Sequence, residues 1–221
     1  MRELLIRASS LGRLMTEPTA AARKAGEVLS AGAKTFVREL AAQAIFGVEF
    51  EVDSKAMQKG RRCELDALAL VSRVRGLALV RNTERRSDDC ITGECDAIDG
   101  RAGWDVKCAW SAATFPLLPS DGRDSGYEWQ ARAYMRLWDA DRWHVAHVLL
   151  DTPEDLIGWE SQSMHFVSHL PEHHRLTVWT VERDPALEAA ITERVRAAQA
   201  YYREVLEEFE RTHQGLHRSE P

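Results

Sequence analysis

The side chains best suited to chemistry are concentrated in the stretch Gly93-Glu94-Cys95-Asp96-Ala97-Ile98-Asp99-Gly100, followed by Arg101-Ala102-Gly103-Trp104-Asp105-Val106-Lys107. Residues two apart on a strand share a face, so Asp105 and Lys107 project together while Val106 points into a core. Asp96 shares a face with Glu94 on the preceding segment, and Asp99-Gly100 is a strong hairpin dipeptide. If the two strands pair across that turn, Asp96 and Asp105 converge on one cation. Two carboxylates with a backbone carbonyl, for which Val106 is the candidate, suit Mg²⁺, a hard ion that keeps part of its water. Mn²⁺ shares this oxygen preference. Such an ion ionises water and clamps phosphate oxygens. A lysine ammonium alongside orients that water or offsets charge growing on phosphorus. The chemistry implied is hydrolysis of a phosphodiester.

These residues must be held by strands and helices whose signals are also present. Ile91 to Ile98 and Gly103 to Trp110 read as the two hairpin strands, with Leu77 to Arg81 a short strand before them. Upstream, Ser9 to Met15 reads as a short helix capped by Ser9 or Ser10. Ala31 to Phe46 carries a helical stripe of Phe36, Val37, Leu40, Ala41, Ala44 and Ile45. Met57 to Val74 is a third helix, with Leu65, Leu68, Ala69 and Val71 inward and Gly76 ending it. Downstream come a loop with Pro116, Pro119 and Gly122, a helix over Ser125 to Ala140 and a strand over Trp143 to Leu150. Further strands are expected at Ser163 to Ser168 and Leu176 to Glu182, then a long helix from about Pro185 to Thr212. The order implies a mixed α/β or α+β fold, a central mixed sheet flanked by helices.

Two outer motifs share the order of the central stretch. Gly60-Arg61-Arg62-Cys63-Glu64 places a carboxylate on the third helix. Gln130-Ala131-Arg132-Ala133-Tyr134 sets Gln130 and Tyr134 four apart on one helix face. The sequence Gly-x-x-x-Glu, Asp, Asp-x-Lys, Gln-x-x-x-Tyr resembles the PD-(D/E)xK nuclease superfamily. It resembles in particular the branch holding RecB nuclease domains, lambda exonuclease and the YqaJ-type viral recombinases. The opening Arg7-Ala8-Ser9-Ser10-Leu11-Gly12-Arg13-Leu14-Met15 is similar to the start of phage members, so the likeness runs from about Arg7 to Trp143.

The resemblance implies a restriction-endonuclease-like core and a role for each matched position. Asp96 and Asp105 would be the Mg²⁺ ligands with Val106, and Lys107 the catalytic lysine. Glu64 would act on the metal through water or on a second ion. Gln130 would orient the lysine or a DNA phosphate, and Tyr134 would support the DNA path. Arg7, Ser9 and Ser10 would grip a terminal 5′-phosphate, and Arg61 would contact DNA. An acid at Glu94, two residues before Asp96, would repel such a phosphate unless it faces away. The implied activity is 5′-to-3′ digestion of linear double-stranded DNA, leaving 3′ single strands for recombination. A homotrimeric ring and a single-strand annealing protein are the implied partners, in the cytoplasm of a bacterial host, with the protein phage or prophage encoded. A RecB-like single-strand exonuclease, an endonuclease, or a catalytically inactive DNA-end-binding module are the competing readings.

Bulk properties bound these expectations. The chain of 221 residues is 44% hydrophobic, enough for one nuclease domain over 1–221, with a catalytic core at about 57–150 and a C-terminal helix at about 185–212. No apolar run approaches the ~20 residues of a membrane span, and Arg2, Glu3, Arg7 and Arg13 interrupt any leader-like stretch. The net charge of -6 excludes a general polyanion-coating surface and confines DNA contact to a local strip. Lys59 to Arg62 and Arg81 to Arg86 are the candidates for that strip. Cys63, Cys90, Cys95 and Cys108 read as reduced thiols: no Cys-x-x-Cys occurs, and no iron–sulfur cluster is expected. The histidines read as packing or surface residues.

Overall fold

A computed structural model describes residues 4–50 and 53–217. Arg2 and Glu3 lie outside the described residues. The N-terminal layer holds β1 (Ile6–Arg7), a 3₁₀ turn (Ala8–Ser10), α1 (Leu11–Leu14), α2 (Ala20–Lys24) and α3 (Ala31–Phe46). Then come α4 (Lys55–Arg75), β2 (Arg86–Ser87), β3 (Ile91–Gly93), β4 (Ala97–Asp99) and β5 (Ala102–Cys108). The second half has α5 (Ser125–Trp138), β6 (Arg142–Val148), α6 (Glu154–Ile157), β7 (Leu176–Glu182) and α7 (Pro185–His217). The mixed α/β class expected from the sequence is the one observed, with helices flanking two sheets.

Those sheets are a three-stranded one in the order β1-β3-β2 and a four-stranded one in the order β4-β5-β6-β7. In the larger sheet β4 and β7 run antiparallel to their neighbours, while β5 and β6 are parallel. Alternation along β5 and β6 divides the sheet into two apolar faces. Trp104 and Val106 with Ala146 and Val148 face α4, whose Ala67, Leu68, Leu70 and Val71 cover them. Trp143, Val145, Trp179 and Val181 face α5, with α3 and α7 stacked outside. Gly103 is required here, because a Cβ on it would lie 2.0 Å from the ring of fully buried Trp143.

Five expectations are corrected. Ile91 to Ile98 is not one strand: Ile91–Gly93 belongs to the small sheet, and pairing with β5 resumes only at Ala97. Between them Asn82 takes the backbone, its amide N–H donating to Asp96 O at 2.7 Å and its side chain to Cys95 O at 3.0 Å. Leu77 to Arg81 contributes a single bridge, Arg81 to Ala97, because the Leu77 and Leu79 amides donate to the Ser72 carbonyl and hydroxyl. Ser163 to Ser168 is not a strand; Asp151 Oδ1 accepts the Val167 and Ser168 amides and holds that chain in an irregular path. On α4, Leu65 is 63% exposed and Ala69 is exposed, since the buried stripe runs Lys59, Cys63, Ala67 and Leu70. That stripe begins with a lysine, which an apolar-periodicity reading does not count. The capping role given to Ser9 or Ser10 is also absent, neither side chain making a cap bond.

Candidate active site

The register of the β4–β5 hairpin fixes the first pair of carboxylates. Ala97 opposes Trp104, so one step further Asp96 stands opposite Asp105. Here the ladder stops, and the Asp96 carboxylate takes the free β5 amide instead, accepting from Val106 N at 2.7 Å. Asp105 is buried, and its carboxylate is ion-paired with Lys107 on the same face. Burial, with Asp105 and Glu64 nearby, pushes the Asp96 carboxyl well above its usual range, against the pull of Lys107 and the Val106 amide. Two ionised carboxylates beside a single ammonium would be one positive charge short.

Helix α5 controls where that ammonium points. Lys107 Nζ donates to Gln130 Oε1 at 3.1 Å, Gln130 Nε2 donates to Tyr134 Oη at 3.2 Å, and Tyr134 Oη donates to Glu94 O at 2.9 Å. The chain of bonds crosses from β5 to the segment carrying Asp96. Gly93 permits it, since a Cβ there would come within 2.6 Å of the Tyr134 ring. Burial pulls the Lys107 ammonium down, but Asp105 and Asp96 together lift it above the ordinary lysine value. Tyr127, one turn before Gln130, was not singled out from the sequence. Its ring lies 4.6 Å from Lys107 Nζ and encloses the ammonium on the α5 side. The signal was available: Tyr127, Gln130 and Tyr134 are spaced three and four apart.

Glu64 is brought near without being brought in. It acts on Asp96 electrostatically, but its carboxylate accepts from Arg81 Nε at 2.5 Å. Among the described residues, the one trio of potential ligand atoms within 4.8 Å is Asp88, Asp89 and Cys90. Those two aspartates are neutralised by Arg136 and Arg196.

The expected end-binding residues fall on two adjoining cavities, Arg7 lining both. Arg7, Ser9, Arg85, Thr92, Glu94 and Tyr134 line one of about 280 Å³. Ser10 lines a neighbouring groove of about 410 Å³ beside Phe36 and Glu39, so Ser9 rather than Ser10 shares the cavity with Arg85 and Thr92. Arg7 is exposed and pairs with Glu49 at 3.2 Å, while Glu94, which also lines the first cavity, is 3.4 Å from Arg85.

The two basic stretches are less open than their composition suggests. Lys59 is fully buried, donating to the carbonyls of Ala109 at 2.8 Å, Trp110 at 3.1 Å and Leu150 at 2.7 Å. It staples α4 to the ends of β5 and β6 and offers nothing to a surface. Arg61 pairs with Asp53, Arg62 with Asp155, Arg81 with Glu64 and Arg86 with Glu84. A DNA contact by Arg61 would therefore start from a guanidinium already paired with Asp53.

Comparison with known proteins gives a consistent picture. No family model matches the sequence, and no curated protein sequence matches it significantly. Among solved structures, the chain is similar to a phage-related exonuclease from Haemophilus somnus 129PT. Identity is 37%, covering 94% of this chain and 97% of that one, with a TM-score of 0.88. It shares its fold with the alkaline exonuclease LHK-Exo from Laribacter hongkongensis, at 18% identity over 96% and 94% of the two chains and a TM-score of 0.68. The same enzyme in complex with dAMP matches at 20% identity over 96% and 94% of the chains, with a TM-score of 0.66.

Proposed function

Because the chain belongs to the phage-related, lambda-type exonuclease family, we propose that it is a Mg²⁺-dependent DNA exonuclease that digests linear duplexes from their 5′ ends. The observation that carries this reading is the convergence of Asp96, Asp105 and Lys107, with Gln130 holding the lysine. The donor set suits a hard divalent cation: Asp96 and Asp105 would hold it with the Val106 carbonyl, and Glu64 would reach it through water. The raised Asp96 carboxyl marks a charge deficit that such an ion relieves. Mn²⁺ is expected to substitute. When bound, the cation supplies ionised water and neutralises phosphate charge.

The protein's own groups do the rest. Asp105 and Gln130 fix the Lys107 ammonium, so that one of its N–H groups meets the attacking water or a non-bridging phosphate oxygen without reorganisation. Tyr134 ties the segment carrying Asp96 to the same helix.

Polarity is supported by placement. Tyr134 lines the cavity with Arg7, Ser9 and Arg85, and Gln130 lies four residues earlier on α5, a rise of about 6 Å. A 5′-phosphate gripped in that cavity would present the next phosphodiester to Lys107. Charge-assisted contacts to a terminal phosphate exist only at an end, which favours end-directed digestion. The dAMP held by LHK-Exo is the kind of product this arrangement would release. The remaining parts of the reading are a homotrimeric ring around the duplex, an annealing protein that receives the 3′ strands, and work in the cytoplasm of a phage-infected bacterial host.

The test uses linear duplexes with 5′-phosphate or 5′-hydroxyl ends and a closed circle, each with Mg²⁺ and with EDTA. Expected are rapid loss of the phosphorylated duplex, slower loss of the hydroxyl form, an intact circle, and no digestion in EDTA. Full activity of Lys107→Ala or Asp105→Ala refutes the site, and loss of a 3′ label before a 5′ label refutes the polarity.

A further inference from the structure

His147 lies beside Lys107: in the parallel β5–β6 ladder the two are register partners on the face that α5 covers. Its ring is buried, and Nε2 is 3.0 Å from Gly122 O and 3.3 Å from Trp179 Nε1. Gly122 belongs to the connection from β5 to α5 and rests on the imidazole so closely that a Cβ would lie 2.8 Å from it. Two residues later Asp124 caps α5, accepting the Gly126 and Tyr127 amides at 2.8 and 3.1 Å. The Tyr127 ring centroid is 6.1 Å from that of His147 on one side and 4.6 Å from Lys107 Nζ on the other. One buried ring therefore sets the height of the segment that launches the helix enclosing the ammonium.

We propose that His147 is a positioning residue for Lys107, acting through Gly122 and the first turns of α5. The inference rests on the nuclease reading for its consequence in catalysis, but its structural core is independent of it. A neutral ring with its proton on Nε2 donates to Gly122 O, and this bond clamps the connection. The Trp179 N–H is then left a poor acceptor, because that nitrogen has no free lone pair. A glutamine amide offers both a donor and an acceptor and can serve both partners. Leucine fills the space and serves neither.

The variants are His147→Leu, His147→Gln and Gly122→Ala; the last strikes the same contact from the loop and leaves the core residue in place. Expected in His147→Leu and Gly122→Ala is a fall in kcat of about ten- to a hundredfold with little change in KM, as for a small misplacement of a catalytic group. His147→Gln is expected to recover most of kcat. Hydrogen–deuterium exchange, which needs no activity, is expected to quicken across residues 122–130 in the two impaired variants and not in the glutamine variant. If His147→Leu fails to fold, Gly122→Ala decides. Unchanged exchange in Gly122→Ala overturns the clamp whether or not the protein cuts DNA. Wild-type kcat in both impaired variants, a change in KM alone, or a glutamine variant as impaired as leucine overturns the positioning role. A wild-type protein inactive with Mg²⁺ sinks the nuclease reading, and the exchange data still decide the clamp.

Discussion

Replacing Lys59 with methionine removes a cation that, among the described residues, no carboxylate pairs with directly, Asp151 acting on it only at longer range. Its three N–H groups meet three carbonyls, and that count matches an ammonium; a neutral amine would turn a lone pair on one of them. Burial pulls the Lys59 ammonium below its usual range, so the charge is costly to keep. Bonds from a charged donor contribute about 1.5–3 kcal/mol each, against an ion-desolvation penalty of several kcal/mol. Trp110 O keeps a second donor, Thr152 Oγ1 at 2.9 Å, which leaves the Ala109 and Leu150 carbonyls as those that lose their lysine donor. Two orphaned carbonyls at about 1–3 kcal/mol each cost roughly 2–6 kcal/mol, and the recovered desolvation offsets a few kcal/mol of it, for a net loss of roughly 1–3 kcal/mol. For a chain of this size that is a fall in Tm of roughly 2–12 °C, read by calorimetry or circular dichroism. The reasoning is refuted if Lys59→Met melts within about 1 °C of wild type or above it, since the lysine would then be a tolerated burial rather than a staple.

Three further outcomes follow from particular contacts. Asp96→Asn keeps an acceptor for Val106 N but removes a carboxyl whose pKa is raised by burial and by Asp105. A raised carboxyl favours folding at low pH, and that favour is lost as pH rises through its folded value. In EDTA the asparagine variant should therefore melt above wild type at neutral and alkaline pH, with the gap closing on acidification, and Mg²⁺ should raise the wild type more; a wild type that melts higher in alkaline EDTA contradicts this. Arg7→Ala should weaken use of 5′-phosphorylated ends by roughly ten- to a hundredfold, the loss of one charge-assisted bond, and bring them level with 5′-hydroxyl ends in initial-rate assays. Gly103→Ala drives a methyl into Trp143 and should cost about 3 kcal/mol or more in urea unfolding; an unchanged midpoint would show that the ring can move aside.

The placement of side chains was legible in the sequence wherever a local rule applied. Asp105 and Lys107 share a face because a strand alternates, and Gln130 meets Lys107 along the helix face that it shares with Tyr134. What it hid were features decided by distant partners. Nothing local indicates that Asn82 will interrupt Cys95–Asp96 and so turn the Asp96 carboxylate onto a β5 amide. Nor does a lysine in a basic run announce that three carbonyls, from residues 109, 110 and 150, will enclose it. His147 read as a packing residue because the carbonyl it meets, that of Gly122, lies 25 positions away. Helices α3 and α7 and strand β7 emerged near their expected limits because their stripes and end signals are local.

The N-terminal strand is held by what comes last. Ile6 and Arg7 pair in parallel with Ile91 and Thr92, and Gln199, far along α7, donates to Leu4 O at 2.9 Å and Asp89 O at 3.0 Å. A chain leaving the ribosome therefore cannot secure the segment bearing Arg7 until α7 has emerged, although the partner strand at Ile91 and Thr92 has been in place since mid-synthesis.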